Sequence, residues 1–430
     1  MTHRNHRRLG VALLATAGAA FLAATSATTA ALAHGDDGGL AFIMGGTLNP
    51  QPDPSYVTAI NDAYIQPNPA FTGYTPFGLY TPEGVNIPGI NGLTLSESVT
   101  QGEIILNNAI LGRPAGADTL AFGYSQSAAI VTLEMNALDA LPADERPSPS
   151  DLSFMMIGDL DNPDGGLFER FALNIPIVGI PFYGPTPPDT PYPTDIYSGQ
   201  YDGVADFPQY PANLLADLNA VLGADYVHTS YPKLTAAEVK DAVPLATSPG
   251  YYEDGGVTHY FMIPTQNLPL LEPLRAIPLV GNPLAALLQP DLTVLVNLGY
   301  NPNGYANVPT PAQLLPGFAP FQDLLKLAQP LLNGLGVYLP QYPSVPGPDF
   351  NLLVILAQLA TGAVQGVQDF LVQIGLLPST DLATTYPAVN SVAEVAAVAD
   401  VAGAASPAAA SELVDPSWLT SLADVVGSAF

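Results

Sequence analysis

Continuous apolar runs set the frame of this chain. Leu40-Ala41-Phe42-Ile43-Met44 is apolar throughout and ends in Gly45-Gly46-Thr47-Leu48-Asn49-Pro50. A short run of that kind suits a strand buried on both faces, with turn chemistry after it. Leu152-Ser153-Phe154-Met155-Met156-Ile157 repeats the pattern, and Ile196-Tyr197-Ser198 repeats it in shorter form. A β-prone run around Leu120 leads straight into a helical stretch to about residue 141. There Ile130, Leu133, Leu138 and Leu141 recur near helical spacing.

The spacing predicts a second helix over 98–111, with Ser98 and Gln101 as a capping box. A third is expected over 211–222, with Pro211 near its start and Gly223 just past its end. Residues 251–252 and 257–263 read as a hairpin around Asp254-Gly255-Gly256. The Pro/Tyr/Gly-rich stretch 51–93 reads as loop. Strands alternating with helices give an α/β class: a mostly parallel central sheet flanked by helices, with Pro/Leu-rich extra segments.

The expected domain spans 40–310. An apolar helical extension follows over 311–376, within which 351–376 reads as a core or lid helix, with membrane contact as the second reading. An Ala/Val-rich low-complexity tail over 377–430 ends the chain.

Composition changes this picture at the N-terminus. Arg4, Arg7 and Arg8 precede a long Ala/Leu-rich run, and Ala31-Leu32-Ala33 fits a small-x-small cleavage pattern. Residues 1–33 therefore read as a secretory signal peptide, and Arg7-Arg8 also permits twin-arginine export. The expected location is outside the cytoplasm, secreted or in the cell envelope.

The formal net charge is -28, and removal of residues 1–33 would make it more negative, since three arginines and no acid would leave. So acidic a surface repels nucleic acid and anionic headgroups. With no cysteine, disulfides and cysteine lipidation are excluded. Proline is 45 of 430 residues, about twice the usual ~5%. Hydrophobic residues make up 48% and charged ones 11%, a balance compatible with association with envelope lipid.

Candidate chemistry centres on Gly123-Tyr124-Ser125-Gln126-Ser127, directly between the Leu120 strand and the following helix. That is the layout of a nucleophile elbow, with Ser125 as the nucleophile of acyl transfer. Such a serine needs a histidine base, an acid and backbone donors. Beyond the N-terminal segment and His34, only His228 and His259 remain. His228 follows the 211–222 helix, where a loop histidine belongs. His259 shares a face with Val257, Phe261 and Ile263 and reads as a packed sheet histidine.

The acid belongs on a loop between serine and histidine, such as Tyr201-Asp202-Gly203-Val204-Ala205-Asp206. Asp202 is preferred, with Asp206 as runner-up. The oxyanion donors would be the N–H of Gln126 and the Gly45-Gly46-Thr47 loop, with Gly46 and Thr47 foremost. An ordinary tight turn explains the two glycines equally well.

No cofactor or metal is expected. Asp159-Leu160-Asp161-Asn162-Pro163-Asp164-Gly165 resembles a calcium loop, but Pro163 holds the fifth position and Arg170 the twelfth, where a glutamate is required. No His/acid cluster has zinc spacing.

At Ile43-Met44-Gly45-Gly46-Thr47, Gly123-Tyr124-Ser125-Gln126-Ser127, Gly165-Gly166-Leu167-Phe168-Glu169-Arg170-Phe171, the 201–208 loop, Tyr226-Val227-His228, 263–275 and Val296-Asn297-Leu298-Gly299-Tyr300, the chain resembles the PE-PPE domain. This is a mycobacterial α/β-hydrolase family related to cutinase-like esterases. The matching motifs follow the family order over roughly 40–310.

The resemblance implies an α/β-hydrolase-like fold and a serine hydrolase with Ser125, Asp202 and His228 as its triad. It also implies acyl ester or glycolipid substrates. Some relatives with an export signal are implicated in moving acyl chains on trehalose glycolipids. Where many members carry a PE or PPE helical module, this chain has its Arg-led apolar segment. The expected function is ester hydrolysis through an acyl-enzyme on Ser125. The alternatives are an acyltransferase acting on trehalose or other envelope glycolipids, and a non-catalytic envelope protein that keeps only the fold.

Overall fold

The computed structural model describes residues 38–86, 92–172, 179, 182–316 and 352–378. The proposed signal peptide at 1–33 lies outside the described residues, as do most of the 311–376 extension before residue 352 and nearly all of the 377–430 tail.

Seven strands form one sheet: β1 Leu40–Ile43, β2 Thr75–Gly78, β3 Thr119–Tyr124, β4 Leu152–Ile157, β5 Thr194–Gly199, β6 Val243–Pro244 and β7 Thr258–Ile263. Their order across the sheet is β2-β1-β3-β4-β5-β7-β6. Every pairing is parallel except β6 against β7. With its flanking helices this is an α/β-hydrolase-like fold.

The continuous apolar runs have a direct cause. Alternate residues of each central strand enter two different cores. Phe42, Ala121, Phe154 and Met156 face one core together with Ile130 and Leu106. Ala41, Ile43, Leu120, Phe122, Met155 and Ile157 face the other together with Tyr64 and Tyr231. A strand with both faces buried has no polar positions to alternate with.

Among the described residues the helices are α1 Pro54–Ile60, α2 Leu95–Leu111, α3 Gln126–Ala140, α4 Leu167–Phe171, α5 Leu214–Tyr226, α6 Ala236–Lys240, α7 Glu272–Arg275, α8 Gly281–Asn297 and α9 Leu352–Gln373. Several boundaries correct the sequence reading. The 51–93 stretch is not all loop, since it holds α1, a π-helical turn over Asn61–Ile65 and β2. Asp53 caps α1 by accepting from the N–H groups of Ser55 and Tyr56, and Pro54 opens the helix.

Helix α2 begins a turn before the expected start, with Thr94 and Glu97 as its capping box. Ser98 is buried inside it, and its hydroxyl accepts from Gly84 N–H and Gln126 Nε2. Helix α5 starts at Asn213 as N-cap and runs through Gly223, which sits against the Tyr201 carbonyl instead of ending the helix.

The expected hairpin is absent. Residues 250–255 form turns, and the antiparallel partner of β7 is β6, while β5 pairs with β7 on the other side. Helix α9 packs along α8. Among the described residues, no helix is long and apolar enough to cross a membrane.

Candidate active site

Because the strands are parallel, their C-terminal ends share one edge of the sheet, and loops leaving that edge converge. Ser125 leaves β3 there, Gly158 leaves β4 and Asp202 follows β5. His228 arrives from α5, at the start of a 3₁₀ turn over His228–Lys233.

Ser125 is the N-cap of α3 and has φ 56° and ψ -119°. A non-glycine residue at positive φ is uncommon and costs of order 1–3 kcal/mol. The turn is held by Ser127, whose Oγ accepts from Tyr124 N–H at 2.7 Å and donates to Tyr124 O at 3.1 Å. Ser125 N–H donates to Ile157 O at the end of β4.

The structure brings together three of the residues singled out by sequence. His228 Nε2 lies 2.7 Å from Ser125 Oγ, and His228 Nδ1 lies 2.8 Å from Asp202 Oδ2. Carboxylate oxygens only accept, so Nδ1 carries the proton and donates to Asp202. Nε2 is then the acceptor for the serine hydroxyl. Asp202 is fully buried and His228 nearly so. The second carboxylate oxygen, Asp202 Oδ1, accepts from Val204 N–H at 2.8 Å.

The two runner-up residues lie elsewhere. Asp206 accepts from Tyr201 N–H through Oδ2 at 2.8 Å, and its own N–H donates to Asp202 O. It shapes the 201–206 loop, and burial pushes its carboxyl up to about 7. His259 is the second residue of β7, at the opposite edge of the sheet from Ser125. The reading of it as a packed histidine is corrected. Its side chain is 55% exposed, and Nδ1 pairs with Asp195 Oδ1 at 3.2 Å, a hydrogen bond that raises its pKa. The alternation places it in the strand, where Tyr252 stacks on its ring at 5.7 Å and the rest of the side chain stays open to solvent.

The two loops proposed to supply oxyanion donors meet. A Cβ at Gly46 would lie 3.0 Å from the Tyr124 ring and 3.3 Å from Ser125 Cβ, so the β1 loop packs tightly against the serine. Thr47 Oγ1 donates to Gln126 Oε1 at 2.9 Å, and Gln126 Nε2 donates to Ser98 Oγ and Gly84 O. The buried Gln126 side chain therefore ties the β1 loop to the start of α3. At the first position of α3, the Gln126 N–H has no intrahelical acceptor.

Sequence reasoning missed three residues here. Gly158 has φ +60°, and a Cβ on it would lie 2.9 Å from His228 Cε1. The imidazole occupies the space that a side chain would fill. Tyr124 donates from its hydroxyl to His228 O at 2.7 Å, with its ring 5.4 Å from the imidazole. Tyr231 donates to Asp202 Oδ2 at 2.8 Å. The only available signal was position, since Tyr124 adjoins the elbow serine and Tyr231 lies one helical turn beyond His228.

The Gly165-to-Phe171 motif supports the 201–208 loop. Arg170 pairs with Asp164 at 2.9 Å and donates to Phe207 O, and Asn162 donates to Ala205 O. The failed calcium loop thus serves as a frame. Among the described residues, no group of three or more His, Cys, Asp or Glu could hold a metal ion. A cavity of about 530 Å³ is lined by Gly199, Val227, Tyr231, Gln266 and Glu272, but not by Ser125, Asp202 or His228.

A family model described as the PE-PPE domain matches residues 72–301, a span that contains Ser125, Asp202 and His228 but not the β1 loop. The chain is similar to PE family protein PE3 of Mycobacterium tuberculosis, 46% identical over 394 residues, covering 88% of this chain and 76% of that protein. It is similar to Esterase PE16 of the same organism, 44% identical, covering 68% of this chain and 54% of that protein. With the SL1278 acyltransferase Chp1, also of M. tuberculosis, it shares 30% identity over 54% of this chain and 55% of that protein. It thus spans about three-quarters of PE3 and about half of the other two. On the family match and the similarity to PE3, the chain belongs to the PE-PPE domain family.

Proposed function

We propose that the protein is a serine hydrolase that cleaves carboxylic esters through an acyl-enzyme on Ser125. The observation that carries this reading is the unbroken chain from Asp202 through His228 to a serine on a strained strand-to-helix turn. The similarity to a protein named an esterase agrees with it.

In the first half-reaction His228 Nε2 takes the Ser125 proton as Oγ attacks the ester carbonyl carbon. The carbonyl oxygen becomes an oxyanion, held by the N–H of Gln126 and by the backbone of Gly46 and Thr47. Asp202 keeps the imidazole oriented and stabilises the imidazolium. The tetrahedral intermediate then expels the alkoxide, which leaves with the proton from Nε2. Water, deprotonated by the same Nε2, attacks the acyl-enzyme and releases the acid and free Ser125.

A second reading follows from the similarity to an acyltransferase. A bound sugar hydroxyl replaces water in the second half-reaction, and the same three residues serve. Residues 1–33 are read as the export signal, and the site of action as the envelope or the exterior.

The test is turnover of p-nitrophenyl esters by wild type and Ser125→Ala, with a fluorophosphonate adduct mapped by mass spectrometry. The variant is expected to lose roughly 10³–10⁶-fold in kcat. Equal turnover by the two proteins would sink the reading. Trehalose added to the reaction separates the two outcomes, since an acylated sugar product marks transfer.

A further inference from the structure

We propose that Tyr231 is a positioning residue of this site: its phenol hydroxyl fixes the Asp202 carboxylate that orients His228. The assignment rests on the reading of Ser125, His228 and Asp202 as the reacting set.

Asp202 Oδ2 receives two hydrogen bonds, from His228 Nδ1 and from the Tyr231 hydroxyl, each at 2.8 Å. The Tyr231 oxygen in turn accepts from Gly199 N–H at 2.6 Å. A phenol has one proton, and the Gly199 donor fills an acceptor position, so that proton is directed at Asp202. Gly199 is the last residue of β5, so the carboxylate is referenced to the sheet and not only to its own loop.

Tyr231 is 1% exposed, and its backbone oxygen accepts from Tyr64 Oη at 3.1 Å. Its ring meets the imidazole edge-on at 5.9 Å. Burial, and then the Asp202 charge, hold the phenol well above its ordinary pKa, so it remains a donor across the working range.

A merely structural tyrosine would need only its ring, whereas this hydroxyl does something specific. It shares the negative charge of Oδ2 with His228. Without it, that charge acts on the imidazole alone and favours the imidazolium more strongly. Among the described residues, the other titratable groups around Tyr231 include Tyr64, Tyr124 and, lining the adjoining cavity, Tyr226, Glu238, Asp241 and Glu272. All remain in place when only the hydroxyl is changed.

The experiment measures kcat and KM for p-nitrophenyl butyrate against pH. It compares wild type, Tyr231→Phe and protein carrying 2,3-difluorotyrosine at position 231, a stronger donor of the same shape. Tyr231→Phe is expected to lower kcat about tenfold, with KM within about twofold, as for loss of one hydrogen bond to a charged group. The acid limb of kcat/KM should move up in Tyr231→Phe and down in the fluorinated protein. Should Tyr231→Phe fail to fold by circular dichroism, the fluorinated protein decides alone. An acid limb that stays with wild type in the folded variants would overturn this assignment while leaving the serine reading intact. A wild-type protein with no Ser125-dependent turnover and no adduct would overturn both.

Discussion

Two histidines and two aspartates compete for the same roles, and what surrounds each one decides between them. His228 is enclosed by Gly158, Tyr124 and Tyr231, with one nitrogen on a serine and the other on a buried carboxylate. His259 faces solvent beside Asp195 at the far edge of the sheet. Replacing His228 with Gln is therefore expected to remove roughly 10³-fold or more of the turnover, and His259→Gln to leave it within about twofold. Survival of activity in His228→Gln would reject the assignment. Asp202→Asn should cost on the order of 10⁴-fold in kcat, because an amide in place of the carboxylate favours the wrong imidazole tautomer. Asp206→Asn keeps an oxygen for the Tyr201 N–H, so its effect should appear in thermal stability with kcat close to wild type. A pH–rate series on the two variants separates these outcomes.

At the scale of elements, the site is a consequence of parallel strands delivering their loops to one edge. Gly158 marks how closely those loops fit. An alanine there must both adopt φ +60° and displace an imidazole whose Cε1 would lie 2.9 Å from the new Cβ. Gly158→Ala is expected to lower kcat about 10–100-fold, because a shift of the imidazole of even an ångström breaks its line to Ser125. It should also cost about 1–3 kcal/mol in stability. A denaturant melt run beside the ester assay checks both, and a variant with wild-type kcat would show that the imidazole is not confined there.

This level also explains what could be read from the chain. The buried strands at 40–44 and 152–157 were legible because both faces enter cores, which leaves unbroken apolar runs. The elbow was legible because strand, serine and helix are contiguous. The meeting of Ser125 with His228 and Asp202 was suggested by their order in the chain, by the loop positions of the acid and the histidine, and by the resemblance to the PE-PPE domain. Tyr231 and Gly158 could not be found, since their roles exist only where loops distant in sequence touch. The hairpin failed for a related reason: turn residues at 254–256 look the same whether the next strand folds back or joins a distant parallel partner.

Across the whole molecule, the buried carboxyls matter more than the surface ones. Burial pushes Glu83 and Glu134 up to about 8 and Glu103 up to about 7. Glu83 and Glu134 lie wholly inside the fold, Glu83 at φ 44° beneath the β1 loop, where its carbonyl accepts from Leu48 N–H. In the unfolded chain a glutamate titrates near ~4.3. Between that value and about 8 the folded state holds protons that the unfolded state has released. Stability is therefore fully present below the unfolded value and is lost as pH rises through the folded ones. The exposed carboxyls of Asp53, Glu97 and Glu238 are shifted down by their capping bonds and act only at lower pH, in the opposite sense. A formal charge of -28 adds self-repulsion in the same direction as the buried groups. The thermal midpoint is thus expected to be highest at about pH 4–5 and to fall as pH rises to about 8, by roughly 2–4 °C for each kcal/mol lost. Glu83→Gln, which keeps an oxygen for the Thr81 hydroxyl that now donates to Oε1, should flatten that fall. Calorimetry of the two proteins at matched ionic strength reads the difference. Parallel slopes would mean that Glu83 is ionised in the folded protein, and that the β1 loop beside Ser125 rests on a charge and not on a protonated acid.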